Sequence, residues 1–260
     1  MSASLVHPTA VIHPSAELDD GVEVGAFTFI GPNVKIGKGS RVFSHVVIKG
    51  PTVIGENNTI YQFSSVGEDT PDLKYNGEPT RCVIGNNNII REGVTIHRGT
   101  VQDRSETTIG NDNLIMAYVH IGHDSVVKNH CILVNNASLA GHVIVDDWAI
   151  LSGYVLVHQH CHIGAHSFLG MGSGTSKDVP AYVTVFGAPA SARRINVEGL
   201  KRRGFSSEQI EALNKAYKVV YRRGLTTEEA INELEQQGDH ADILQPLILS
   251  LKQSGRGIVR

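Results

Sequence analysis

A period of six governs most of this chain. Stepping six residues at a time from Val6 meets Val6, Ile12, Leu18, Val24, Ile30, Ile36, Val42, Ile48, Ile54, Ile60 and Val66, every one aliphatic. The phase returns at Ile84, Ile90 and Ile96. It resumes from Ile109 through Ile115, Ile121, Val127, Leu133, Leu139, Val145, Leu151, Val157 and Ile163 to Leu169. An amphipathic helix repeats its apolar face about every 3.6 residues and a half-buried strand every two, so neither alone makes this pattern. Short strands joined by tight turns do make it. Each hexad supplies one inward aliphatic residue, and three hexads close a triangular coil. Successive coils then pair their strands at about 4.8 Å. Glycine often follows the ladder residue, as at Gly25, Gly55, Gly122 and Gly164, and small or turn-permissive residues are expected at the corners. The pattern predicts a mainly β fold, a parallel β-helix of hexapeptide repeats over residues 1–190.

Two polar stretches break the period, near 69–81 (DTPDLKYNGEPTR) and 98–107 (RGTVQDRSET). They must leave the coil as surface loops, and loops held on a rigid scaffold are common places for function. Beyond Leu169 the period fades. Ser206 to Gln209 and Thr226 to Glu229 read as capping boxes opening two helices, Gly224 suits the end of the first, and a short helix is expected around 243–253. Residues 191–260 are therefore expected to form a C-terminal helical domain.

Charge and composition narrow the function. A net charge of −3 gives no basic field for nucleic acid. No apolar run is long enough to insert in a membrane, and Met1 to Ala10 lacks the basic-then-apolar order of a leader. Cys82, Cys131 and Cys161, with no C-x-x-C, fit reduced, buried thiols in a cytoplasmic protein.

The chain has 13 histidines, and His120, His123, His130, His142, His158, His160 and His162 crowd one region. In a coil of 18 residues, positions about that far apart share an edge, as His142 and His160 do. None occupies a ladder position, so these side chains are expected to face outward as a site. A neutral imidazole suits a general base near neutral pH. Asp124, directly after His123, could fix its tautomer, and Gly141 could offer a bare N–H to an oxyanion. A basic cluster, Arg193, Arg194, Lys201, Arg202 and Arg203, suits phosphates or an acidic protein partner.

The segments IYQFSSVGEDTPDLKY (60–75), GEPTRCVIGNNNIIREGVTIHRGTVQ (77–102), HIGHDSVV (120–127), NNASLAGHV (135–143), VHQHCHIGAH (157–166) and NVEGLKRRGFS (196–206) resemble the UDP-N-acetylglucosamine O-acyltransferases of the hexapeptide-repeat transferase superfamily. The resemblance spans nearly the whole chain. It implies a left-handed coil, the exception to the usual right-handed crossover, and a homotrimer with sites between subunits. It also implies transfer of a 3-hydroxyacyl chain from acyl carrier protein to the glucosamine 3-hydroxyl of UDP-N-acetylglucosamine, the first step of lipid A biosynthesis. His123 would be the base, Asp124 its orienting carboxylate and Gly141 the oxyanion donor. Asp72, Lys74, His120, His142, His158 and Gln159 would position sugar and phosphate. Asn196, Glu198, Arg202 and Arg203 would serve the nucleotide from a neighbouring subunit. No metal or cofactor of the enzyme's own is implied, the donor carrying phosphopantetheine on its carrier protein. Met171 stands where the resemblance implies an acyl-chain ruler. A glycine there admits 3-hydroxymyristoyl, so methionine implies a shorter chain such as 3-hydroxydecanoyl. His160 and His162 receive no role and are expected to be surface coil.

Three alternatives remain open at this level. The related N-acyltransferase carries an extra N-terminal domain before its hexads, whereas these begin at Val6. A γ-type carbonic anhydrase uses the same repeat with three histidines on zinc. A non-catalytic β-helix would serve assembly alone.

Overall fold

A computed structural model describes residues 5–236 and 240–260. Residues 1–4, part of the segment read above for a leader, and 237–239 lie outside the described residues. Among the described residues the short strands sort into three sheets of 11, 9 and 8 strands, and neighbours within a sheet are three strands apart in sequence except for the last two steps of the 11-stranded sheet. All pairings are parallel until the last, where Val183–Phe186 runs antiparallel to Ser191–Ile195. Coils stack at the expected offset, Ile121 opposite Leu139 and Leu139 opposite Val157. At the two insertions the pairing simply skips the extra residues, Ile60 facing Ile90 and Ile96 facing Ile121. This is a left-handed parallel β-helix.

The ladder residues are the core, as the period requires. Ile30, Ile60, Ile90, Ile115, Ile121 and Leu139 are fully buried. A second position, two residues earlier in each hexad, is also buried and small: Val22, Thr28, Val119, Ser125, Ala137, Val143 and Ala149 among others. Cys82, Cys131 and Cys161 occupy it, which explains their burial. Burial pushes the thiols of Cys82 and Cys131 up to about 12 and that of Cys161 to about 11, so none is a ready nucleophile.

The corners depart from expectation. Most turns from Gly21 onward hold a residue with positive φ, and many of these are large: Phe27, Phe63, Tyr118, His142, Trp148, Tyr154, His160 and His166. None of the non-glycine residues at these corners is β-branched, the type that tolerates a left-handed backbone least. Stacking of successive coils offsets the strain. Phe27 stacks on His45 and His45 on Phe63, while His130 stacks on Trp148 and His142 on His160.

Among the described residues four helices follow: α1 (Val197–Arg202), α2 (Ser207–Arg222), α3 (Thr227–Glu235) and α4 (Ala241–Lys252). Both expected capping boxes form, Ser206 with Gln209 and Thr226 with Glu229, and Gly224 takes a positive φ just past α2. The helices close the C-terminal end of the coil. Leu200, Leu213, Leu247 and Leu251 join the same apolar core, Ser250 Oγ accepts from the Ala181 N–H at 3.0 Å, and Tyr182 donates to the Ile243 carbonyl at 3.0 Å. The other end of the coil has no such cover among the described residues, and Leu5 and Val11 are exposed. Among the described residues no helix is long and apolar enough to cross a membrane.

Candidate active site

The corner between the 9-stranded and 8-stranded sheets gathers the chemistry. The coil offset sets two columns there. His123, Gly141 and Gln159 occupy one position in successive coils, and Asp124, His142 and His160 the next. Main-chain bonds knit the columns together, the His142 N–H donating to the His123 carbonyl at 2.8 Å and the His160 N–H to that of Gly141 at 3.1 Å.

His123 Nδ1 lies 2.9 Å from Asp124 Oδ2, with the imidazole 16% exposed and the carboxylate at 0%. The 98–107 insertion folds over that carboxylate. The Thr100 N–H reaches both oxygens at 2.9 and 3.0 Å, Thr100 Oγ1 donates at 2.6 Å, and the Arg104 N–H at 3.3 Å. Burial alone would push the Asp124 carboxyl up. The hydrogen bonds from His123 and Thr100, with the charge of His142, more than offset it and hold the group below its usual range. An ionised carboxylate at Nδ1 requires a proton on that nitrogen and leaves Nε2 as the basic one. Gly141 lies under the ring: a Cβ there would stand 2.6 Å from His123 Cε1 and Nε2. Among the described residues the Gly141 N–H meets no acceptor.

Around this pair stand more imidazoles. His142 is edge-on to His123 at 4.9 Å and stacked on His160 at 4.3 Å, and its Nδ1 lies 2.7 Å from Asp103 Oδ2. His120 sits on the 9-stranded face, with Nδ1 2.8 Å from Thr95 Oγ1 and its ring against His97 at 5.4 Å. Burial lowers the basicity of His97 and His120, and each is further lowered by a neighbouring histidine. His97 Nδ1 contacts the Asp69 carbonyl at 2.7 Å, and Arg98 pairs with the Asp69 carboxylate. These contacts fix the start of the 69–81 loop beside the histidines. Asp72 and Lys74 ride on that loop, bonded to each other through the Lys74 N–H at 2.9 Å and to none of the histidines. A groove of about 580 Å³ runs along the same face, lined by His120, Ser138, Ala140, Leu156, His158 and Gly174. Met171, 77% exposed, stands at the corner where that sheet begins.

His160 is an exposed turn residue, as expected, and its corner position stacks it one coil above His142. One expectation needs correction. His162 is half-buried in a strand, with Nε2 2.8 Å from Asp146, because it is an outward strand residue rather than a turn residue. The basic cluster also divides. Arg193, Arg194, Lys201 and Arg202 are exposed. Arg203 instead lies over the Trp148 ring at 5.2 Å and donates to the Trp148 carbonyl at 2.8 Å. Asn196 caps α1, accepting from the Gly199 N–H at 3.1 Å and donating to the His166 carbonyl at 2.9 Å. These residues and Glu198 lie at or beyond the corner between the 8-stranded and 11-stranded sheets, so one chain does not bring them to His123. Asp103, Thr100 and His97 were missed as site residues. Their only signal was membership of an insertion or a place just before it.

His123, Asp124 and His142 each have a potential metal-ligating atom within 4.8 Å of the others. The Nδ1 atoms of both imidazoles face carboxylates, and Asp124 already accepts several hydrogen bonds, so these atoms satisfy one another.

The corner thus holds an imidazole paired with a buried carboxylate beside a backbone N–H that is free among the described residues, on a hexapeptide coil of the kind that hexapeptide-repeat acyltransferases share. Residues 106–141 match the family described as bacterial transferase hexapeptide (six repeats), and residues 178–259 match UDP N-acetylglucosamine O-acyltransferase, domain 2. The acyl-[acyl-carrier-protein]–UDP-N-acetylglucosamine O-acyltransferase of Saccharophagus degradans is 66% identical over 99% of this chain and 100% of its own length. The UDP-N-acetylglucosamine O-acyltransferase structure from Moraxella catarrhalis is 47% identical, covers 98% of this chain and 99% of its own, and superposes with a TM-score of 0.97. The chain belongs to the acyl-[acyl-carrier-protein]–UDP-N-acetylglucosamine O-acyltransferase family and is an enzyme of that kind.

Proposed function

We propose that this enzyme moves a 3-hydroxyacyl chain, 3-hydroxydecanoyl by preference, from acyl carrier protein to the glucosamine 3-hydroxyl of UDP-N-acetylglucosamine, opening lipid A biosynthesis in the cytoplasm. The observation that carries the reading is His123, held through Nδ1 by a buried carboxylate, above an unengaged Gly141 N–H. His123 Nε2 takes the proton of the 3-hydroxyl as its oxygen attacks the thioester carbonyl. The carbonyl oxygen becomes an oxyanion opposite the Gly141 N–H. As the intermediate collapses, the carbon–sulfur bond breaks and the phosphopantetheine thiolate takes the proton back from His123. Base, orienting group and oxyanion donor are all protein groups, so the step asks for no cofactor beyond the one on the donor.

His120, His142, His158 and Gln159 bind the sugar nucleotide along the groove and corner, joined by Lys74 and Asp72 from the 69–81 loop. A homotrimer brings a neighbour's α1 to this corner. Glu198 and Arg202, exposed on that helix, are the members free to touch the nucleotide, whereas Asn196 and Arg203 hold α1 to its own coil. Arg193, Arg194 and Lys201 receive the acidic carrier protein.

The deciding experiment is an acyl-transfer assay with UDP-N-acetylglucosamine and 3-hydroxyacyl carrier proteins of several lengths, for wild type and His123→Ala. Removal of the base should cost at least about 100-fold in kcat with the assembly intact by light scattering. Wild type inactive at every length would reject the reading, and an active His123→Ala would move the base elsewhere.

A further inference from the structure

Asp103, on the 98–107 insertion, has no part in the mechanism above. Its carboxylate lies 2.7 Å from Nδ1 of His142, whose side chain is 16% exposed. That ring stacks on His160 at 4.3 Å and meets His123 edge-on at 4.9 Å, and the same Nδ1 lies 4.0 Å from the Asp124 carboxylate, well beyond the Asp103 contact. The same insertion delivers Thr100 and Arg104 to Asp124. One loop therefore serves two carboxylate–imidazole pairs. It fixes the acceptor that orients His123, and it supplies the acceptor that meets His142.

A neutral imidazole carries one proton on either of two nitrogens, and only a partner at one of them settles which. A carboxylate at Nδ1 admits the forms protonated there. We propose that Asp103 is a positioning residue that sets the tautomer and orientation of His142, so that Nε2 is presented to the sugar nucleotide. The proposal rests on the reading of His142 as a substrate-binding residue. Two parallel dyads then divide the work: His123 with Asp124 moves the proton, and His142 with Asp103 holds the acceptor substrate in line with it.

A purely structural role for Asp103 is distinguishable. Its N–H closes a turn onto the Thr100 carbonyl, and any residue could supply that N–H. Asp103→Asn keeps the shape and the turn but can offer an NH2 group to Nδ1 and so invert the tautomer. A comparable exchange in a catalytic triad leaves geometry intact and misplaces the proton. Asp103→Asn should raise KM for UDP-N-acetylglucosamine about tenfold, with kcat changed less than about threefold and the thermal midpoint unchanged. In a His142→Ala background the same exchange should change nothing. Histidine 1H–15N long-range spectra of the full chain, with the His142 signals assigned by their loss in His142→Ala, should report a proton on Nδ1 in wild type and its displacement in Asp103→Asn. A wild-type KM with an unmoved tautomer, or an equal loss in both backgrounds, overturns the proposal. If wild type transfers nothing at all, the functional reading falls, and the spectra still decide: an unmoved tautomer overturns the Asp103 assignment as well.

Discussion

At the scale of the residue, Gly141 has two reasons to be glycine. The first was legible in the sequence: a bare N–H one residue before a histidine. The second needed coordinates. His123 and Gly141 occupy the same position in neighbouring coils, so the imidazole lies flat over the glycine, and a methyl group would stand 2.6 Å from its Nε2. Gly141→Ala should therefore push the base out of line and lower kcat at least about 100-fold, since a displacement near 1 Å of a catalytic group costs that much. The fold should survive, because the new methyl points at a side chain outside the core, and far-UV dichroism with a thermal scan checks that. A variant within threefold of wild type would show that His123 is not fixed where the chemistry needs it. The pairing of His123 with Asp124 could be read from adjacency alone. Asp103 and Thr100 could not, because an insertion has no register with the coil, and which of its residues returns to the site depends on loop geometry.

At the scale of the element, regularity decided what could be read. The ladders follow from a period, and two helix starts follow from capping boxes, whose partners are local. The corners were misjudged because a local rule, small residues at positive φ, yields to a longer-range one, stacking between coils. His166 shows the consequence. It stacks on Trp148 and Tyr182 at one corner and lies 3.3 Å from the Arg203 guanidinium, which docks α1. Burial first, then the charge of Arg203, lowers its pKa to about 4. The ordinary value in an unfolded chain is about 6.5. A folded pKa below the unfolded one means that the unfolded chain binds the proton more readily in between. The stability contributed by neutral His166 is thus complete above about 6.5 and is lost as pH falls toward 4. His166→Phe keeps the stack and removes the titration. Between pH 7.5 and pH 4.5 its thermal midpoint should fall less than that of wild type, by roughly 3–5 °C. Parallel curves would mean that protonation of His166 is not what loosens the α1 corner in acid.

At the scale of the whole molecule, the coil converts sequence distance into length. Ala117, Asn135, Gly153 and Met171 hold one corner position in successive coils, linked by main-chain bonds one residue on, Asn136 to Ala117, Tyr154 to Asn135 and Gly172 to Gly153. Ala117 belongs to the coil of His123, so Met171 stands three coils further along the axis, about 14 Å at the usual spacing, and at the opposite edge of the 9-stranded face from His123. The same corner carries a run of exposed aromatic residues, Phe27 at 62%, Phe63 at 67%, Tyr118 at 65% and Tyr154 at 64%. An apolar column of that length calls for cover, which a neighbouring copy in a homotrimer would supply. Met171 would then close the end of a groove walled by two subunits. Removing its side chain lengthens the groove without touching the base or the nucleotide contacts. Met171→Gly should leave transfer intact but move preference from 3-hydroxydecanoyl toward 3-hydroxymyristoyl, by about tenfold or more in the ratio of kcat/KM values, the scale on which apolar pockets resolve added methylenes. Competition between the two carrier-protein donors in one vessel measures that ratio directly. A ratio unmoved by the substitution would detach chain length from Met171 and place its control on the neighbouring subunit's wall of the groove.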